Sequence, residues 1–273
     1  MIRTFNANIF RLKKSRLFWW AMVLTALATA GGVMLCCLAA EGDLSEYALE
    51  SYALSGAPAL SIMNAVTVIL FLGTDNSGRT VRNKIMVGNK RGGIYAANML
   101  TGAVIGCSVT VAWLVGGLAG VPILGWWKMP LTEVAVYIAS LMACAVAVSA
   151  AAALVSMLIQ SKSGAVVVGL VAAIVLMFCA GRVYTQLGGQ KEVMTTENID
   201  GELQFELIEN PNYIEGVRRA AYELALNVNP LGSSIALSNC DLKDPIAGIA
   251  GAGFVTVFIS ALGAAVFRRK DLR

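Results

Sequence analysis

Apolar positions gather into six long uncharged runs, separated by short polar or basic stretches. The runs cover residues 17–40, 51–74, 92–127, 134–161, 163–181 and 245–267, and the shortest of them has 19 residues. About 20 apolar residues in a helix cross the hydrocarbon core of a bilayer. Each run is therefore long enough for one span, and we place the six spans at 17–40, 53–74, 94–117, 134–159, 163–183 and 245–267. The third run is long for a single span. Its helix is expected to stop near Gly117, leaving Gly120, Pro122, Trp126 and Trp127 as a segment at the membrane surface.

The polar stretches carry their own patterns. In residues 1–16, Ile2, Phe5, Ile9 and Leu12 share one helical face, with Arg3, Arg11, Lys13 and Lys14 mostly off it. That is the pattern of a helix lying in the membrane interface. A signal peptide is the competing reading, and Ala28-Thr29-Ala30 offers a cleavage-like site, but 24 uncharged residues are too many for a signal core. In the connector after the second run, Asn76 or Ser77 can cap a short helix, Val81 and Ile85 stand one turn apart, and Gly88 offers a stop. The last polar stretch, 184–244, is the only sizeable one. Asn210-Pro211 and Asn229-Pro230 bracket a helical repeat of Ile214, Val217, Ala221 and Leu224, which predicts an amphipathic helix resting on the span ends.

Charge fixes the orientation. Fifteen of the 21 Lys and Arg residues fall in 1–16, 74–91, at Lys162 and at the C-terminus, with only Asp75 and Asp271 of the 17 acids beside them. The positive-inside rule puts these segments and both termini in the cytoplasm. The net charge of +4 is thus sorted by topology and is no sign of nucleic-acid binding. The chain has no histidine, which removes His-based acid–base and metal schemes, and five of its six cysteines lie in apolar runs, where thiols fill the core.

Inside the spans, small residues such as Ala150, Ala151, Gly248 and Gly251 suit close helix packing. Asn64 has two readings, a polar site in a pathway and, the commoner, an interhelical hydrogen bond. No ionised side chain sits deep in a span, although ion-coupled transporters keep one despite a cost of about 2.5–3.5 kcal/mol. The chain has no phosphate-binding loop, since 88–93 (GNKRGG) has the wrong order, and no G-x-S-x-G or H-E-x-x-H. No cofactor or metal is expected, and any ATP-driven work must draw on another chain.

Residues 78–95, GRTVRNKIMVGNKRGGIY, resemble the G-T-I-R-N-K-L-x-x-G-x-x-R-x-x-I-Y stretch of bacterial type-2 ABC transporter permeases. Residues 209–223, ENPNYIEGVRRAAYE, are similar to that family's N-P-N-Y-V-x-G-x-x-R-x-x-Y-E stretch, and 267–273, FRRKDLR, to its closing F-x-x-x-D-L-K. Arg79 departs from the pattern, which has Thr or Ser there. The resemblance implies a dimer of six-span units, homomeric or with a related permease, above two copies of an ABC ATPase. It implies that the N-terminal helix (Ile2, Phe5, Ile9, Leu12) and a coupling helix at 79–87 meet the ATPase. The coupling contacts would be Arg79, Val81, Arg82, Lys84, Ile85 and Met86. Without the resemblance, the physics of the basic connector favours a loop whose cations simply hold it in the cytoplasm.

The sequence therefore predicts one all-α domain over 1–273. It has six spans, an interfacial N-terminal helix, a short coupling helix between spans two and three, and a helical segment outside the membrane between spans five and six. The expected role is that of a non-enzymatic permease subunit of an ABC exporter in the bacterial plasma membrane, moving peptide, antibiotic or lipid-like cargo. The alternative is a non-transporting sensor or assembly component that binds a ligand through the outer helix. In a cysteine-free background, cysteines placed at Asn89 and Asn198 should label from opposite sides of the membrane. Labelling of both from outside contradicts the six-span topology.

Overall fold

The computed structural model describes residues 1–39, 48–77, 80–199, 202–210, 213–240 and 244–269. The chain is an α-helical membrane protein, a single β-hairpin aside among the described residues, with six helices long and apolar enough to cross a bilayer. An N-terminal helix, α1 (Ile2–Lys13), precedes the first span, α2 (Arg16–Ala39). The second span is broken into α3 (Leu49–Leu54) and α4 (Ala57–Ser77), and is followed by the short α5 (Thr80–Met86). The third span is α6 (Arg91–Gly117), with α7 (Val121–Leu124) after it. Then come α8 (Leu131–Leu158) and α9 (Lys162–Leu187), the fourth and fifth spans, and α12 (Pro245–Arg269), the sixth.

Between α9 and α12 lie a hairpin, β1 (Glu192–Ile199) against β2 (Glu202–Glu209), and two helices, α10 (Gly216–Val228) and α11 (Pro230–Ser238). The strands are antiparallel, with Glu192 opposite Glu209 and Ile199 opposite Glu202. The hairpin is an addition to the single amphipathic helix expected for this stretch. Its strand sequences, EVMTTENI and ELQFELIE, alternate only in part and are rich in Glu, so they give a weak strand signal.

Local chemistry sets several helix ends. Ser15 Oγ accepts the Phe18 N–H at 3.4 Å and Ser161 Oγ accepts that of Gly164 at 3.2 Å. Asn229 and Asp244 do the same for α11 and α12, each with proline at the first helical position. Gly88, with φ of 90°, ends α5 as its sequence suggests. Asn76 and Ser77, which the sequence offers as caps for α5, belong to the last turn of α4.

The break between α3 and α4 frees the Ala53 carbonyl, and the Trp113 indole N–H donates to it at 2.9 Å. Gly56 abuts the edge of that indole, where a Cβ would collide with the ring.

α4, α6 and α8 are the most enclosed spans, whereas α2, α9 and α12 present most of their length outward. The central three meet at a polar knot. Asn64 of α4 donates to the Ala145 carbonyl at 2.9 Å and accepts from Ser149 Oγ at 3.2 Å, while Gly106 of α6 leaves no room for a Cβ beside them. Asn64 is thus an interhelical hydrogen-bonding residue. Apolar packing by Val68, Ile69, Leu72, Ile105, Val109 and Leu141 surrounds the knot.

A second cluster, Ile94, Tyr95, Met157 and Phe267, ties α6, α8 and α12 together at the end where Lys and Arg concentrate. Gly263 of α12 seats the Tyr95 ring so closely that any Cβ would overlap its hydroxyl. Gly263→Ala should therefore destabilise the bundle by about 1–3 kcal/mol. Thermal unfolding in detergent checks this, and adding Tyr95→Phe, which removes the colliding hydroxyl, should recover part of the loss.

Candidate cytoplasmic coupling site

The basic end of the bundle is built around one acid. Asp75, on the last turn of α4, has a side chain only 1% exposed and forms ion pairs with Arg11 of α1 and Lys84 of α5. The Lys84 contact is 2.8 Å. Thr80 Oγ1 donates to the Asp75 backbone carbonyl at 2.7 Å and to the carboxylate at 3.3 Å, so the turn into α5 is folded onto the same residue. The Arg11 guanidinium also lies 4.6 Å from the centre of the Phe71 ring, one turn back on α4.

From Lys84 the network runs inward. Its ammonium donates to Asn8 Oδ1 at 3.3 Å, and Asn8 Nδ2 donates to Asn98 Oδ1 at 2.8 Å and Thr101 Oγ1 at 3.3 Å, both on α6. Asn98 in turn donates to the Met157 sulfur of α8 at 3.0 Å. At the far end of α1, Thr4 donates to Asn89 at 3.4 Å, and Asn89 donates to the Lys84 carbonyl at 3.0 Å. One polar chain therefore joins α1, α4, α5, α6 and α8.

The residues predicted for a partner contact are placed as follows. On α1 the buried positions are Thr4, Asn8 and Leu12, spaced one turn apart, with Ile9 packed beside them against the core. Ile2 is exposed and Phe5 half-buried, so of the predicted apolar face Leu12 points fully into the protein. On α5, Lys84 belongs to the Asp75 network and Ile85 packs against Tyr95, Met157 and Phe267. Met86 and the neighbouring Val87 stand out, at 69% and 83% exposure. Arg79 lies outside the described residues. Val81 and Arg82 lie within α5, though their side chains are not described.

Residues that sequence reasoning passed over are Thr4, Asn8, Asp75, Asn98 and Val87. Two signals marked them. Asp75 is the single acid in a connector with five cations, and Thr4, Asn8 and Leu12 repeat every four residues.

This arrangement ties α1, α4 and α5 together through one residue. A buried carboxylate gripped by cations from two separate helices resists separation of those helices, because pulling either cation away leaves charge uncompensated in a poorly solvated place. The cost is asymmetric. Asp75→Asn removes the buried charge, and Lys84, at 21% exposure, can then rehydrate. Arg11, whose Nε and Nη2 are buried without a hydrogen-bond partner, must swing outward along its part-exposed side chain to do so. Arg11→Met with Lys84→Met instead leaves the carboxylate buried and unpaired, at about 3–5 kcal/mol. Denaturant unfolding should rank the double variant below Asp75→Asn, whose loss should be about 1–3 kcal/mol.

No family model matches this chain, and no curated protein matches it either.

Proposed function

We propose that the chain is the membrane-spanning permease subunit of an ATP-driven ABC transporter, working as an exporter in a bacterial plasma membrane. In this reading the basic end faces the cytoplasm, both termini lie there, and two copies of an ATPase dock beneath a permease dimer. The chain itself hydrolyses nothing. The observation that carries the reading is the Asp75 node, which ties α1 and α5 to the start of the polar chain reaching α6 and α8. A partner pressing on α5 would move the ends of three spans together. A loop that merely retained positive charge would not need a buried acid, or Ile85 packed against the Tyr95 cluster.

The resemblance of residues 78–95 and 209–223 to type-2 permeases supports the same reading. The exposed pair Met86 and Val87 supplies the apolar anchor that the partner would grip, with Lys84 and Ile85 holding α5 from behind. Cargo would be peptide, antibiotic or lipid-like.

The test is co-purification from membranes through a tag on this chain. ATPase activity should travel with the wild type. Met86→Ser with Val87→Ser should lower its retention by at least about fivefold, the consequence of losing anchors worth more than about 1 kcal/mol each. Both positions are solvent-exposed, so the variant should unfold at the wild-type temperature. Absence of ATPase activity from the wild-type preparation overturns the assignment. Full retention by the folded double variant overturns the anchor.

A further inference from the structure

A roomy apolar cavity lies away from the basic end. It holds about 480 Å³ and lies between the spans, walled by α4, α8, α9 and α12 and roofed by residues 225–231 of α10 and α11. Small side chains make it, notably Ala147, Ala151, Gly169, Ala172 and Ala180. Its volume falls within the roughly 300–1,000 Å³ typical of ligand cavities.

The polar inventory of the wall is nearly empty and already spent. Asn229 donates its side-chain amide to the Leu176 carbonyl at 3.0 Å and accepts the Leu231 N–H at 3.1 Å. Water entering this space would find almost nothing to bond, and apolar cavities of this kind stay dry. Left empty, the space would forfeit dispersion contacts for every lining atom. A hydrocarbon filler resolves both problems. Ala172, Leu176 and Cys179 of α9 line the cavity and are also exposed at the outer surface, which places its mouth on a face that a membrane protein turns to the acyl-chain phase.

We propose that this cavity is a binding site for one acyl chain of a membrane lipid, drawn in sideways from the bilayer past α9. The wall selects by shape and dryness alone. The bound part is therefore the hydrocarbon tail, and the head group stays outside. This inference is independent of the permease reading and would hold for any function of the chain.

The test uses the full chain in nanodiscs of phosphatidylcholine carrying a photoactivatable diazirine on one acyl chain. After irradiation, mass spectrometry of proteolytic peptides should find adducts concentrated on the inward-lining positions of α8 and α9. Ala151→Phe with Ala172→Phe fills the space and should lower those adducts by about tenfold. Val167→Phe, exposed on the side of α9 turned away from the cavity, should leave them unchanged. A second measurement guards against misfolding: in lipid-free detergent the filled variant should unfold at or above the wild-type temperature, because phenyl rings replace an absent lipid. Adducts spread evenly over the outward faces of α2, α9 and α12 overturn the proposal. So does adduct formation at the lining that survives in the folded, filled variant.

Discussion

A carboxylate that is almost wholly buried must be neutralised, and the way Asp75 achieves this organises the basic end of the molecule. Its two cations come from two separate helices, α1 and α5. Without Asp75, α1 would rely on the Thr4 and Asn8 hydrogen bonds and on Leu12, and α5 on Ile85. A seven-residue helix has little intrinsic stability in isolation. Its position is imposed by tertiary contacts, and the strongest of these is ionic.

The same economy recurs in the bundle interior. Where apolar surface cannot drive helices together, because lipid is as apolar as the helices, close approach and buried hydrogen bonds do so. Gly106 lets Asn64 and Ser149 meet between three spans, and Gly263 lets Tyr95 lie on α12 and donate to the Ile259 carbonyl at 3.4 Å. The polar chain from Lys84 through Asn8 and Asn98 to Met157 links the ionic node to this packed interior. The outer α9 and α12 present most of their length outward, and between them and α8 lies the apolar cavity.

Much of this was legible in the sequence because hydropathy and charge are local properties. The uncharged runs mark the six spans, Gly117 ends α6 and Gly88 ends α5. The break at Gly56 was not legible, since it depends on an indole that is distant in sequence but adjacent in space. Nor was the inward side of α1. A count of apolar residues favours the Ile2–Phe5–Ile9–Leu12 face, yet the helix docks through Thr4 and Asn8 because their partners on Asn89, Asn98 and Thr101 complete hydrogen bonds that water would otherwise supply. Asp75 stood out only as an isolated acid, because burial depends on neighbours that periodicity does not reveal. Ile85 illustrates the same limit: its spacing from Val81 suggests a shared outward face, whereas the Tyr95 cluster draws it inward.

The central claim is that Asp75 fixes α1 and α5 relative to each other. Spin labels on the exposed residues Lys13 and Met86 report that relation directly through their pulsed electron–electron distance distribution. The account predicts a single narrow distance with Asp75 intact and a broad distribution in Asp75→Asn. An unchanged narrow distribution without the carboxylate would contradict it.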